Sequence, residues 1–184
     1  MIDYKTFKKE FLNEWVNRSQ AARKAAEELA MKDSTTLSDR YKEEGLVFFL
    51  DGHKVEFKAE NEENPNTLYN IFSYDEAIER FGKPDEDGWR LPTKEELEAL
   101  CNYPYKFDTI NGRVVFDRRL SLPAAGRRNR DGYVDCVSAH GFYWSSTPSG
   151  WYNAWELYFN SGEMSVYRSS QQESKSVRLV RDVK

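Results

Sequence analysis

Asn153-Ala154-Trp155-Glu156-Leu157-Tyr158-Phe159 alternates large apolar side chains with other types, and this short run sets the reading of the whole chain. Successive side chains of a β-strand point to opposite faces. Trp155, Leu157 and Phe159 are therefore expected to face a core, with Ala154, Glu156 and Tyr158 facing away. Turn signals bracket the run, Pro148-Ser149-Gly150 before it and Asn160-Ser161-Gly162 after it. Short strands are predicted on either side, at Leu120–Ala125, Gly141–Ser146, Met164–Tyr167 and Ser176–Val180, with a further turn at Asp131-Gly132. Near the start, Leu46–Leu50 reads as a strand. Asp51-Gly52 is a hairpin turn, and Val55 and Phe57 lie on the returning strand. Asn61 to Asn66 is a polar loop.

Helical signals come before most of these strands. Phe7, Phe11 and Trp15 recur at i, i+4, i+8 in a helix predicted from Asp3 to about Lys32, closed by Asp33-Ser34-Thr35-Thr36. Ser73 three residues before Glu76, and Thr93 three before Glu96, are capping boxes for short helices over Tyr74–Phe81 and Lys94–Cys101. Helices first and strands afterwards predict an α+β fold. The expected organisation is an N-terminal helical segment, 1–44, serving oligomerisation or attachment, and a ligand-binding domain, 45–184.

With 184 residues, 15% of them aromatic, the chain can bury a core and is not disordered. Its net charge of −4 argues against general binding to nucleic acid or to a membrane surface. No run approaches the ~18 apolar residues of a membrane-spanning helix. Met1-Ile2-Asp3-Tyr4-Lys5 does not open a secretory signal, so a cytoplasmic or virion-associated protein is expected. Cys101 and Cys136 form no CxxC pair and are expected to be reduced thiols.

The search for chemistry yields little. His53 and His140 lack zinc spacing, and Tyr143-Trp144-Ser145-Ser146-Thr147 lacks the glycines of a nucleophile elbow. Asp85-Glu86-Asp87-Gly88 has too few of the ligands of a calcium loop and reads as a solvated acidic turn. Arg118, Arg119, Arg127, Arg128 and Arg130 form either a patch for acidic ligands or a solvated hairpin. No aromatics are interleaved with them to stack bases. No catalytic residue, metal or cofactor is predicted.

Ser149 to Lys175 is the segment richest in recognition chemistry. Tyr, Trp and Arg anchor binding surfaces, and Ser and Gln add adaptable hydrogen bonds. The predicted ligand-binding residues are Trp151, Tyr152, Asn153, Glu156, Tyr158, Tyr167, Arg168, Ser169, Ser170, Gln171, Gln172, Glu173 and Lys175.

Five further segments occur in order: Gly88-Trp89-Arg90-Leu91-Pro92-Thr93-Lys94-Glu95-Glu96, Leu122-Pro123-Ala124-Ala125-Gly126, Tyr143-Trp144-Ser145-Ser146-Thr147-Pro148, Asn153-Ala154-Trp155 and Ser176-Val177-Arg178-Leu179-Val180-Arg181. In these segments the chain, from about Gly45 to Asp182, resembles C-type-lectin-like modules of the Fibrobacter succinogenes major paralogous domain type. Such modules share a fold with calcium-dependent lectins and the formylglycine-generating enzyme. The Glu-Pro-Asn, Gln-Pro-Asp and Trp-Asn-Asp sugar motifs are absent, as is a catalytic cysteine pair near the C-terminal region. Some members are variable proteins of diversity-generating retroelements in gut bacteria and phages. The resemblance implies a scaffold held by Trp155, Leu157, Phe159, Val166, Val177 and Leu179, and a rewritten surface for a protein or surface-glycan ligand. A fixed-specificity lectin-like module and a formylglycine-generating type of enzyme are the alternatives.

Overall fold

The computed structural model describes residues 46–67 and 69–183. The predicted helix from Asp3 to about Lys32 lies outside the described residues. The chain divides into two units, 1–44 and 45–184, and the described residues all belong to the second.

β1 (Val47–Leu50) and β2 (His53–Phe57) form the expected hairpin. Asp51 and Gly52 turn it with φ of 46° and 84°, the left-handed pair that matches strand twist. β13 (Val180–Asp182) pairs with the other edge of β2. β3 (Phe72–Ser73) leads into α1 (Tyr74–Phe81), and α2 (Lys94–Leu100) follows. Both capping boxes form: Ser73 accepts from the Glu76 N–H and Thr93 from the Glu96 N–H, and each glutamate reaches back to its cap residue. β4 (Tyr105–Asp108), β5 (Arg113–Phe116) and β6 (Leu120–Pro123) make a meander. β7 (Arg127–Arg128) pairs with β8 (Val134–Asp135). β9 (Gly141–Pro148), β10 (Asn153–Phe159) and β11 (Met164–Ser170) form the sheet on which the site is built, in the order β11-β10-β9. β12 (Ser174–Lys175) lies between β3 and β7.

The α+β expectation is corrected by this architecture. The described residues are 41% strand and 11% helix, arranged in four small antiparallel sheets with two short helices. The α+β reading leaned on the N-terminal helix and missed strands without an alternating apolar pattern. Tyr105-Lys106-Phe107-Asp108 and Arg127-Arg128 are strands because their backbones pair with neighbours, not because they bury a regular face.

Two cores form, and β10 serves both. Leu157 and Phe159 enter a cluster with Phe48, Val55, Leu97, Leu100, Val114 and Leu122. Ala154 enters a second cluster with Phe72, Tyr74, Leu91, Trp144, Val177 and Leu179. A strand with packed groups on both faces has no solvent side over much of its length. The alternation in β10 therefore sorts its side chains between two interiors instead of between core and water. Glu156 is 4% exposed for that reason. Trp155, expected in the core, is half-buried at its margin, with the Lys94 ammonium 4.6 Å from its ring centroid. Val166 is likewise half-buried, packed against the first core.

The C-terminal run is fastened by Arg178, which is 2% exposed. Its guanidinium donates to Asn61 Oδ1 at 2.8 Å, to the Lys58 carbonyl at 2.9 Å and to the Ser121 carbonyl at 3.1 Å. Burial pulls its pKa below the ordinary arginine value. The Tyr143 hydroxyl beside it donates to the Pro123 carbonyl at 2.7 Å and accepts from Asn61 Nδ2 at 3.0 Å. Burial pushes that hydroxyl up to about 12.

Candidate binding surface

The β9–β10 turn carries Trp151 and Tyr152 side by side, 92% and 80% exposed. Gly150 permits the turn with φ of 81°, and the Ser149 N–H closes it by donating to the Asn153 carbonyl at 2.7 Å. The β11–β12 turn holds it from the side. The Gln171 N–H donates to the Tyr152 carbonyl at 3.0 Å, and its side-chain amide donates to the Asn153 carbonyl at 3.0 Å. Two large aromatic side chains are thus displayed on a backbone that is fixed from two sides. Gln172 is exposed beside this tip, and Asn153 and Gln171 are half-buried within it.

Tyr167 and Arg168 of β11 are exposed, and Tyr158 and Ser169 are half-buried. The Tyr158 and Tyr167 ring centroids are 5.8 Å apart. Asn160 Nδ2 donates to the Tyr158 hydroxyl at 2.7 Å, and that hydroxyl also meets His140 Nδ1, 3.2 Å away. The Tyr167 hydroxyl donates to Glu163, and this bond, ahead of burial, raises the tyrosine pKa.

Glu156, Ser170, Glu173 and Lys175 lie elsewhere: all four are buried, between 0% and 7% exposed. The outward positions assigned to them from strand alternation and loop polarity are corrected accordingly. Lys175 is the hub. Its ammonium meets Glu156, donates to Glu173 Oε2 at 2.7 Å and to Ser169 Oγ at 2.6 Å, and stands 4.6 Å from the Trp144 ring centroid. Arg127 adds a second cation, 3.1 Å from Glu173 Oε2. Burial raises the Glu156 carboxyl pKa more than Lys175 lowers it. Burial also works to raise Glu173, but Lys175, Ser169 and Arg127 together hold it below the usual carboxylate range. The cluster ties β10, β11 and β12 together beneath the exposed tip. Loop polarity in Ser169–Lys175 gave no sign of this. A lysine flanked in space by two glutamates on different elements has no local sequence signature.

The remaining candidates are structural in their surroundings. His53 Nδ1 faces the Asp51 carbonyl at 3.2 Å, and Nε2 faces Glu96 Oε1 at 3.1 Å. Asp182 completes a possible metal-ligand group with these residues. Arg90, however, already holds Glu96 with both terminal nitrogens, at 2.8 and 2.7 Å, and Asp182 at 2.7 Å. The guanidinium supplies the positive charge there, so the group is an ion-pair network closing β2, α2 and β13 on one another. Asp85 Oδ1 accepts from the Asp87 and Trp89 N–H groups, which makes the acidic run a self-satisfied turn. The arginines do not form one patch. Arg119 pairs with Asp117 and lies over Phe48, whereas Arg127 and Arg128 face Glu173 and Ser174. Cys101 and Cys136 are unpaired and half-buried, and burial pushes the Cys101 thiol up to about 11. Exposed residues that the sequence reading passed over include Tyr133 on the β7–β8 hairpin, 73% exposed. Its only signal was its place after Asp131-Gly132.

Residues 15–181 match the Lcl C-terminal domain family. The chain belongs to that family. This is a C-type-lectin-like module of the kind found in Fibrobacter paralogous domains and retroelement variable proteins, and it places the chain among lectin-like ligand-binding domains. The match extends well N-terminal of the resemblance seen from about Gly45. No curated protein matches the chain. Among the described residues no helix is long and apolar enough to cross a membrane.

Proposed function

We propose that this Lcl-family domain acts by recognition and not by catalysis, binding a protein or surface-glycan ligand through the tip formed by the β9–β10 and β11–β12 turns and the adjoining outer residues of β11. One observation carries the reading: Trp151 and Tyr152 are almost fully exposed on a turn whose backbone is braced by Gln171. Displaying that much apolar surface in water is unfavourable unless a partner covers it. The brace reduces the ordering that binding would otherwise require.

The tip is also suited to diversification by a retroelement of a gut bacterium or phage. Exposed side chains on a fixed backbone can be exchanged without disturbing either core. Buried Glu156, Ser170, Glu173 and Lys175 cannot. The test is to sequence the DNA flanking the gene. An imperfect repeat of the codons for Ser149 to Arg181, beside a reverse-transcriptase gene, should differ at adenines in the codons for Trp151, Tyr152, Asn153, Tyr158, Tyr167, Arg168 and Gln172, while that for Gln171, whose side chain braces the tip, should match. Those for Glu156, Glu173 and Lys175 should match. Differences concentrated at the buried codons would reject the reading. The absence of any repeat would leave a binding surface of fixed specificity.

A further inference from the structure

The binding sheet ends in an open edge. In the order β11-β10-β9, β11 has a neighbour on one side only. The Asn160 N–H donates to the Glu163 carbonyl at 2.9 Å, which makes this the hydrogen-bonded pair that closes the β10–β11 hairpin. Bonded and non-bonded pairs alternate along an antiparallel ladder. With Tyr158 opposite Ser165 and Glu156 opposite Tyr167, these become bonded pairs. The N–H and C=O groups of Met164, Val166 and Arg168 consequently point away from β10. Among the described residues nothing takes them. An exposed ladder edge of this length is a template for another strand.

The side chains on this edge define what would fit. Met164 and Val166 are half-buried, packed against the first core without being enclosed by it. Arg168 follows two residues later on the same face, exposed and without an ion-pair partner among the described residues. A second copy of β11 is a poor match. Antiparallel self-pairing centred on Tyr167 would set each Arg168 against a valine and leave both cations unanswered.

We infer that β11 binds an extended peptide segment of its protein ligand by strand addition, antiparallel like the ladders already present. In such a segment an acidic residue lies opposite Arg168, and apolar residues two and four positions later lie opposite Val166 and Met164. The inference rests on the binding reading above and names the ligand class. Main-chain bonds would supply affinity, the alternating side chains specificity, and the neighbouring tip further contact.

The test uses the full chain and a synthetic peptide with the core Glu-Thr-Val-Thr-Val between Thr-Ser flanks, followed by calorimetry. Saturable binding is expected. N-methylation of the peptide at its ladder-facing amides should weaken it by about thirtyfold, because several main-chain bonds are lost with the side chains unchanged. Arg168→Glu should weaken it by roughly fivefold or more, and a peptide with Lys in place of Glu should recover the difference. Arg168 is exposed, so this variant folds, and the charge-swap rescue confirms it. No saturable binding, or binding indifferent to N-methylation and to Arg168→Glu, overturns the strand-addition site. Peptide binding abolished by Trp151→Ala but untouched by Arg168→Glu would also overturn it, while leaving the tip as the binding surface.

Discussion

Lys175 shows how one side chain can govern the site without touching a ligand. It is fully buried between Glu156 and Glu173. Removing one member of a buried ionic group strands the others at a cost of about 3–5 kcal/mol. Lys175→Met, close in length but uncharged, should therefore lower unfolding stability by about that much in a urea titration. Glu156→Gln should cost less, since the ionised form of Glu156 is already disfavoured by burial. The double variant should be more stable than Lys175→Met alone. His53 makes a milder, pH-dependent contribution. Both of its ring nitrogens face acceptors, the Asp51 carbonyl and Glu96, so both contacts are hydrogen bonds only when the ring is doubly protonated. Its pKa is raised above 6.5, first by the Asp51 carbonyl and, against the opposing effect of burial, by Glu96 and Asp182. A raised folded-state pKa stabilises fully below the unfolded value, and the benefit fades as pH rises through the folded value. The stability gap between the native chain and His53→Gln should hence shrink between about pH 6 and 8. NMR titration of the His53 ring should place its pKa above that of Glu96→Gln.

At the scale of elements, β9 and β10 meet so closely that one position admits only glycine. A Cβ on Gly141 would lie 2.0 Å from Phe159 Cζ and 2.4 Å from Cε1, inside a fully buried ring. Gly141→Ala should destabilise by about 1–3 kcal/mol through overpacking, measured by thermal unfolding. A companion Phe159→Leu should relieve part of the clash. This contact was invisible in the sequence, where Gly141 stood simply at the head of a strand. The signals that were legible are those whose cause is local. The turn Asp51-Gly52, the capping boxes at Ser73 and Thr93, and the alternation of β10 all state their geometry within a few residues. The strands that went unread, β4, β7 and β12 among them, owe their existence to partners distant in sequence: Ser174 pairs with Ser73 and with Arg128. The same limit applied to the site. Exposure of Trp151 and Tyr152 followed from turn chemistry. Burial of Glu156 and Lys175 followed from a second core behind β10, which no local pattern announces.

The molecule as a whole separates what must stay from what may change. Leu157 and Phe159 anchor one core, Ala154 and Trp144 the other, and the ionic hub at Lys175 joins β10, β11 and β12 beneath the tip. Above this frame, Trp151, Tyr152 and Gln172 project into solvent from turns whose main-chain bonds do not depend on their side chains. Stability and recognition should accordingly be decoupled. Trp151→Ala and Tyr152→Ala should each change unfolding stability by no more than about 0.5 kcal/mol. Leu157→Ala, only a few residues along the same chain, should cost about 2–5 kcal/mol. Gln171→Ala should fall between, since it removes a side-chain bond to the Asn153 carbonyl and loosens the brace. The measurement is denaturant unfolding of the four variants side by side. Large losses at Trp151 and Tyr152 would mean that these aromatics are part of the scaffold, and the tip could not then serve as a rewritable surface. Small losses there, with a large one at Leu157, are what a fold must show if its binding face is to vary while its frame is kept.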